Sequence, residues 1–252
     1  GGVVGCNNGS AMRRCYSTGA VSGTENVGGL VGGNRGTVTD CYTTGTVSGM
    51  DGVGGLVGHN NRTVTLCYSS GTVSGMSAVG GLVGANYGGA VTQCYSTGLV
   101  DGTGQGAGGL LGTNYGSVRQ CYSAAVVNGE DAVGGLVGSN GSPGWAGDVA
   151  RCYSTGAVSG TGRYVGGLVG NNMSPVVGRR YVTDSFWDTQ TSGQAESDGG
   201  AGKTTAEMQM ATTFLEADWD FVGETANGTA DIWWILEGQD YPRLWWELIP
   251  ES

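Results

Sequence analysis

The sequence predicts an all-β chain wound into a β-solenoid of about seven coils, and three observations carry that expectation. A five-residue word returns seven times: GGVVG at 1, GGLVG at 28, 54, 80, 134 and 166, and GGLLG at 108. The intervals are 27, 26, 26, 28, 26 and 32 residues, the period of stacked units that cannot bury an apolar face alone. Within each interval, short β-branched runs are broken by Gly and Asn, which reads as brief strands and tight turns. No interval holds an apolar helical period long enough to compete.

The first unit that shows the pattern cleanly is GGLVGGNRGTVTDCYTTGTVSGMDGV, residues 28–53. It is expected to make one coil of about three short strands, with coils stacked at the ~4.8 Å inter-strand spacing and a rod of about 30 Å. Along the Cys-Tyr-Ser/Thr run, alternation separates two faces. Cys41, Thr43, Gly45 and Val47 suit a narrow interior, and Tyr16, Tyr42, Tyr68, Tyr95, Tyr122 and Tyr153 turn outward as an aromatic ladder continued by Phe186. The inverse assignment, with Tyr inside and Cys outside, stays open on period alone. Asn7, Asn34, Asn60, Asn86, Asn114, Asn140 and Asn172 recur in the turn after the glycine word. Asn tolerates left-handed backbone, and its amide can bond the Asn of the next coil.

The thiols Cys15, Cys41, Cys67, Cys94, Cys121 and Cys152 fall one per coil, far from the Cys-x-x-Cys spacing of zinc sites. Buried free thiols and adjacent-coil disulfides are both compatible with that ladder, the first being preferred because stacked Cβ atoms sit slightly beyond bonding range. Cys6 stands outside the series as a surface thiol.

Residues 1–183 hold nine Arg, no Lys and seven acids, whereas 184–252 hold 14 acids against Lys203 and Arg243. Scattered arginines make no basic stripe, so a nucleic-acid partner is not expected. No apolar run is long enough to span a membrane as a helix. Gly is 53 of 252 residues, but without a Gly-X-Y period, which excludes collagen. The chain starts without Met at a repeat boundary, so a processed form or a fragment is expected, with the first coil offering an unpaired edge.

Residues 1–183 therefore form the repeat body and 184–252 a C-terminal capping segment. The seventh repeat breaks at Ser185-Phe186-Trp187 and runs into a Gly/Ser-rich stretch. Thr204 and Glu207 spell a capping box, after which Met208, Met210, Phe214 and Leu215 can share a helix face. Trp187, Trp219, Trp233, Trp234, Trp245 and Trp246 supply an aromatic cover for the last coil's edge.

Few residues suggest chemistry. Ser197 to Thr204 nearly spells a phosphate-binding loop, but Ser197 replaces the first Gly and no buried strand precedes it. His59, the only histidine, reads as an exposed coil residue without the base–acid–nucleophile pattern of a triad. Asp184, Asp188, Asp218, Asp220, Asp231 and Asp240 offer oxygen ligands for Ca²⁺ but no calcium-loop spacing, so a solvated acidic surface is preferred. No cofactor is otherwise expected. Three sequons, at Asn61, Asn172 and Asn227, discriminate nothing in repeats of bacterial type.

The glycine word followed by Asn-x-Gly, Cys-Tyr-Ser-Thr-Gly and Val-Ser-Gly resembles the GLUG-motif repeat of bacterial surface proteins. The tail strings at 202–209, 219–221 and 232–246 look like those that follow such repeats. The resemblance implies an extracellular or cell-surface location and a structural or adhesive role, with self-association or other surface proteins as partners. It brings over no catalytic residue. Metallopeptidases occur beside such repeats, but this chain has no His-Glu-x-x-His. The expected function is thus a non-enzymatic structural or adhesive solenoid, including a filament subunit joined head to tail. The alternative is a carbohydrate-binding module that uses the Tyr ladder on glycans. A hydrolase is not expected, because no coil-to-coil pair of carboxylates stands near mid-rod.

Overall fold

The computed structural model describes residues 1–173 and 181–248. Each full coil has five strands rather than three. In the coil starting at Gly28 they are Val31–Asn34, Thr37–Thr39, Tyr42–Thr43, Val47–Ser48 and Asp51–Gly54. Two-residue strands carry too little sequence to register as separate β runs, which is why three were expected. Each strand pairs in parallel with its equivalent one coil on: Val31 with Val57, Val38 with Val64, Tyr42 with Tyr68, Val47 with Val73, and Val53 with Val79. Five parallel sheets of seven, six, seven, eight and six strands result.

In-register stacking turns every repeated residue into a column, and the columns divide the interior into two lobes. Leu30, Val31, Val38 and Cys41 and their equivalents fill one lobe, and Val27, Val47 and Val53 and theirs fill the other. Between them lies a waist. There the Ser/Thr of the Cys-Tyr-Ser run bonds the glycine word across the coil: Thr43 Oγ1 donates to Gly55 O at 2.8 Å, Ser96 Oγ to Gly109 O at 2.5 Å and Ser154 Oγ to Gly167 O at 2.7 Å. The waist explains the second glycine of the word. A Cβ on Gly55 would strike Ser69 Oγ and the Gly81 carbonyl, so a larger residue would pry the lobes apart.

Two corners of the coil use left-handed backbone. One is the residue before the Cys column, Arg14, Asp40, Leu66, Gln93, Gln120, Arg151 and Asp184, with φ from 49° to 53°. The other comprises Asn26, Gly52, Ala78, Gly106, Ala132 and Tyr164. The Asn column that was expected to supply such corners does not.

The last coil is closed in two ways. Phe186–Asp188 continues the Tyr sheet beyond the expected boundary at 183, and Ala201–Lys203 adds an eighth strand to it. Ser197 Oγ meets the Leu168 and Val169 N–H groups at 3.2 and 2.9 Å, and Asp198 accepts from Asn172 N at 2.7 Å. The near-phosphate-loop string therefore closes a sheet end. Trp187 belongs to the coil, where it takes the column position of Ser154, lies over Gly167 and joins the Leu/Val lobe. It is an interior plug and not part of an outer aromatic cover.

The remainder of the segment, including short helices at Thr205–Met208 and Ala211–Leu215, lies along the side of the rod. The capping box of Thr204 and Glu207 is present. Met208 and Phe214 are fully buried. Met210 departs from the expected shared face: it is the N-cap of the second helix and is exposed.

Candidate functional site

Residues outside the lobes are where function can reside, and the Tyr column is the longest outward feature. Tyr16, Tyr42, Tyr68, Tyr95, Tyr122 and Tyr153 stack in parallel, with centroids 4.9–5.2 Å apart and ring planes within 8°. The spacing is the strand spacing, so backbone pairing sets the stack and each ring covers its neighbour's face. The column is not open along its length, however. Tyr122, Tyr153 and Phe186 are buried beneath Met208, Phe214, Trp219, Phe221, Ile232, Trp233 and Leu244. This corrects the expectation of six outward tyrosines. Alternation places a side chain outside its own coil, but a later segment of chain covers half of that outer face.

Polar atoms fasten the segment to the column. Tyr122 Oη donates to Glu247 Oε2 at 2.8 Å, Tyr153 Oη donates to the Pro242 carbonyl, and Trp219 Nε1 donates to Asp184 O at 2.9 Å. Trp246 Nε1 reaches Gln93 O at 3.2 Å, and its ring lies 5.5 Å from that of Tyr95. Burial pushes the Tyr122 and Tyr153 phenols well up, keeping them neutral donors. Burial also raises the Glu247 carboxyl, against the lowering effect of its bond from Tyr122. Asp188 is buried, which alone would raise its carboxyl. Bonds from Tyr241 Oη, Thr205 Oγ1 and the Thr191 and Gln190 N–H groups overcome this and lower it.

Where the segment stops, an open groove of about 1030 Å³ runs past Tyr16, Tyr42 and Tyr68, with Trp234, Trp245 and Trp246 opposite and Arg14, Asp40, Arg243 and Glu247 at its edges. The tyrosines present ring edges to this groove, since their faces are taken by stacking. A sugar ring packs on an aromatic face, so the stacked ladder is a poor sugar platform.

The Asn column lies inside. Each Nδ2 donates to the next Oδ1: Asn7 to Asn34, Asn34 to Asn60, Asn60 to Asn86, Asn86 to Asn114, Asn114 to Asn140 and Asn140 to Asn172, all at 2.8–2.9 Å. The second Nδ2 hydrogen closes the local turn, as from Asn86 to Gly89 O at 3.0 Å. Such saturated amides have no capacity left for a ligand.

Cys41, Cys67, Cys94, Cys121 and Cys152 are buried free thiols and Cys15 is half-buried. Each of the five donates to the carbonyl two residues back at 3.1–3.3 Å. Burial raises the thiols of Cys67 and Cys121 and holds them inert. Cys6 is exposed. Among the described residues, no group of three or more His, Cys, Asp or Glu could hold a metal ion. Several tail aspartates bond the backbone: Asp220, for example, accepts from Ala230 N and Asp231 N at 2.9 and 3.1 Å.

Sequence reasoning missed a second aromatic cluster on another side of the coil. His59 is half-buried, not fully exposed, and its ring lies 4.5 Å from that of Tyr87. Tyr87 lies 5.0 Å from Tyr115, with the planes splayed by 44°. Together with Ser142 and Trp145, these two tyrosines line a cleft of about 230 Å³. The available signal was Tyr in the same post-Asn position, Asn86-Tyr87 and Asn114-Tyr115, with the insertion in the next coil.

The family pattern described as "The GLUG motif" matches residues 23–48 and 75–101. A protein of Evansella cellulosilytica named "Putative Gly-rich membrane protein" is 36% identical over 112 residues, 44% of this chain and 11% of that protein. The alignment thus spans about a tenth of the relative's length. Among solved structures, that titled "Crystal structure of a putative immunoglobulin A1 protease from Bacteroides ovatus" superposes with a TM-score of 0.47 at 19% identity, over 96% of this chain and 70% of that one. No helix among the described residues is long and apolar enough to cross a membrane. With the motif matched in two coils and the same glycine word recurring in register along the rod, this chain carries GLUG-motif repeats and folds as a β-solenoid.

Proposed function

We propose that this chain is a non-enzymatic adhesive or structural module displayed on the bacterial cell surface. One observation carries the reading: the repeated residues are spent on building the rod, while outward positions other than the stacked Tyr column vary from coil to coil. In one column outside the lobes, Gly33, His59, Ala85, Thr113 and Ser139 follow one another in register, half-buried except for the buried Ala85, beside interior columns that keep Asn, Cys and aliphatic residues. A scaffold that holds its interior constant and varies its exterior is suited to presenting contacts over a long surface. Residues of the kind that perform acid–base or nucleophilic work are either buried in structural bonds or dispersed along the rod.

Growth of a filament by strand addition has less support, because the C-terminal coil's edges are covered by 194–203. The test is antibody labelling and protease shaving of intact cells that produce the protein. Labelling and cleavage without permeabilisation are expected. Labelling only after permeabilisation overturns the reading.

A further inference from the structure

The cleft between Tyr87, Tyr115, Ser142 and Trp145 is built by a departure from the repeat. Between the column Asn and the next strand, the preceding coil has two residues, Tyr115 and Gly116. The following coil has seven, 141–147, in a segment whose only purpose within the coil is to leave the surface and return. Its tip is a two-residue hairpin turn. Ser142 N donates to Trp145 O at 2.8 Å and Trp145 N to Ser142 O at 2.9 Å, with Pro143 and Gly144 between them. Gly144 has φ +91°, and Pro followed by left-handed Gly is the type II arrangement. The base is held too: Asn140 Nδ2 donates to Gly147 O at 2.9 Å and Gly141 N donates to Asn114 O at 2.8 Å. A pinned loop thus holds an indole that is 67 % exposed. Exposing a Trp forfeits the burial that usually places it.

The rings below differ from the Tyr ladder in the feature that matters. The 44° splay between Tyr87 and Tyr115 opens a wedge, so ring faces are turned toward the cleft and not sealed against each other. Tyr87 is 47 % exposed, and His59 backs it on the coil before. Around the faces stand two phenol hydroxyls, the Ser142 hydroxyl and the indole N–H, and among the described residues no charged side chain lines the cleft. Burial raises the Tyr115 phenol and lowers the His59 imidazolium, so both are neutral at pH 7.

We propose that this cleft binds one ring of a neutral, polyhydroxylated sugar, held by its C–H face against Trp145 and the splayed tyrosines. A lining of aromatic faces and uncharged donors and acceptors suits a ligand that is apolar on its faces and hydroxylated on its rim. An anionic sugar would find no cation among the described lining residues. This deepens the adhesive reading by naming the class of surface contacted.

The test is binding of the purified full chain to an array of neutral and acidic oligosaccharides, with titration of the best neutral binder. Trp145→Ala and Tyr87→Ala serve as variants, and Tyr42→Ala serves as a control on the other ladder. Selective binding of neutral glycans, weakened about tenfold or more by either variant and unchanged by Y42A, is expected. Melting curves of W145A and Y87A should match the parent, since both side chains are exposed. Absence of binding to every neutral glycan, preference for acidic ones, or binding that survives W145A and Y87A overturns the proposal. Surface labelling of cells judges the adhesive reading separately: labelled cells with a blank array leave that reading standing and remove this one.

Discussion

Asn86→Ala is expected to cost about 3–5 kcal/mol, a magnitude set by the bonds it removes. The Asn86 side chain is fully buried. Its Nδ2 donates to Asn114 Oδ1 at 2.9 Å and Gly89 O at 3.0 Å, and its Oδ1 accepts from Asn60 Nδ2 at 2.9 Å. Three buried hydrogen bonds are worth roughly 1 kcal/mol each net, and a buried group left unpaired adds ~1–3 kcal/mol. Neighbours moderate the loss: Asn60 Nδ2 keeps Arg62 O at 3.0 Å, and Asn114 Oδ1 keeps Gly116 N at 3.1 Å. Asn86→Asp separates the amide donors from simple volume, because a carboxylate can accept from Asn60 but cannot donate to Asn114 or Gly89. It should therefore be worse than alanine at pH 7 and recover as pH falls and the acid becomes a donor. Asn7→Ala removes one inter-coil bond and two part-buried local bonds with Ser10, which water can replace more readily, and should cost less. The assay is urea unfolding followed by far-UV circular dichroism, comparing midpoints and slopes because long repeat arrays can lose two-state behaviour. A loss below 1 kcal/mol for N86A, or equal losses at positions 7 and 86, would refute the view that the column stabilises cooperatively.

Alkylation of the native protein should label Cys6 rapidly, Cys15 slowly and the five buried thiols only after denaturant, as read by mass spectrometry; fast labelling of Cys67 or Cys94 contradicts the interior described. Trp219→Ala, which empties a fully buried site and removes the bond to Asp184 O, should cost about 3–5 kcal/mol. Its effect should be confined to the side-docked segment, so limited proteolysis should cut 204–248 while the coils survive; coil cleavage at the same protease concentration counts against that independence. Asp188 has a lowered carboxyl, so its contribution is present above the ordinary carboxylate value and is lost as pH falls through the folded one. Asp188→Asn should lower stability by roughly 1.5–3 kcal/mol at pH 7 and flatten the acid limb of melting temperature below about pH 4; an unchanged limb removes Asp188 from that role.

How much of this was legible in the sequence depends on whether a feature repeats. The glycine words located the coils, about six turns between seven words, because parallel in-register pairing maps a 26-residue spacing directly onto neighbouring strands. Residue alternation set Cys41 and Tyr42 on opposite faces by the same logic, while leaving open which face was inner. The five-strand coil was not legible, because Tyr42–Thr43 and Val47–Ser48 are two residues each. The left-handed turn at Asp40 separates Tyr42–Thr43 from Thr37–Thr39. A left-handed column occupied by Arg, Asp, Leu and Gln carries no compositional mark, since the coil's pairing, and not the residue's preference, imposes that backbone.

The non-repeating parts are hidden for a different reason. Trp219 meets Tyr153, and Trp246 meets Tyr95, across intervals on which no period bears. Nothing local distinguishes a segment that caps the rod's end from one that lies along its side. Yet the two outcomes differ in what they leave exposed. End closure is accomplished by short polar contacts from Ser197 and Asp198 and by the strand Ala201–Lys203, which frees the aromatic residues after it to cover Tyr122 and Tyr153. That lateral cover removes the ladder's C-terminal half as a ligand surface, and ring stacking removes most of the remainder. The splayed tyrosines under the Trp145 loop keep their faces because one coil interrupts its own repeat. On a solenoid whose regularity is consumed by structure, departures from the period are where binding chemistry has room to stand.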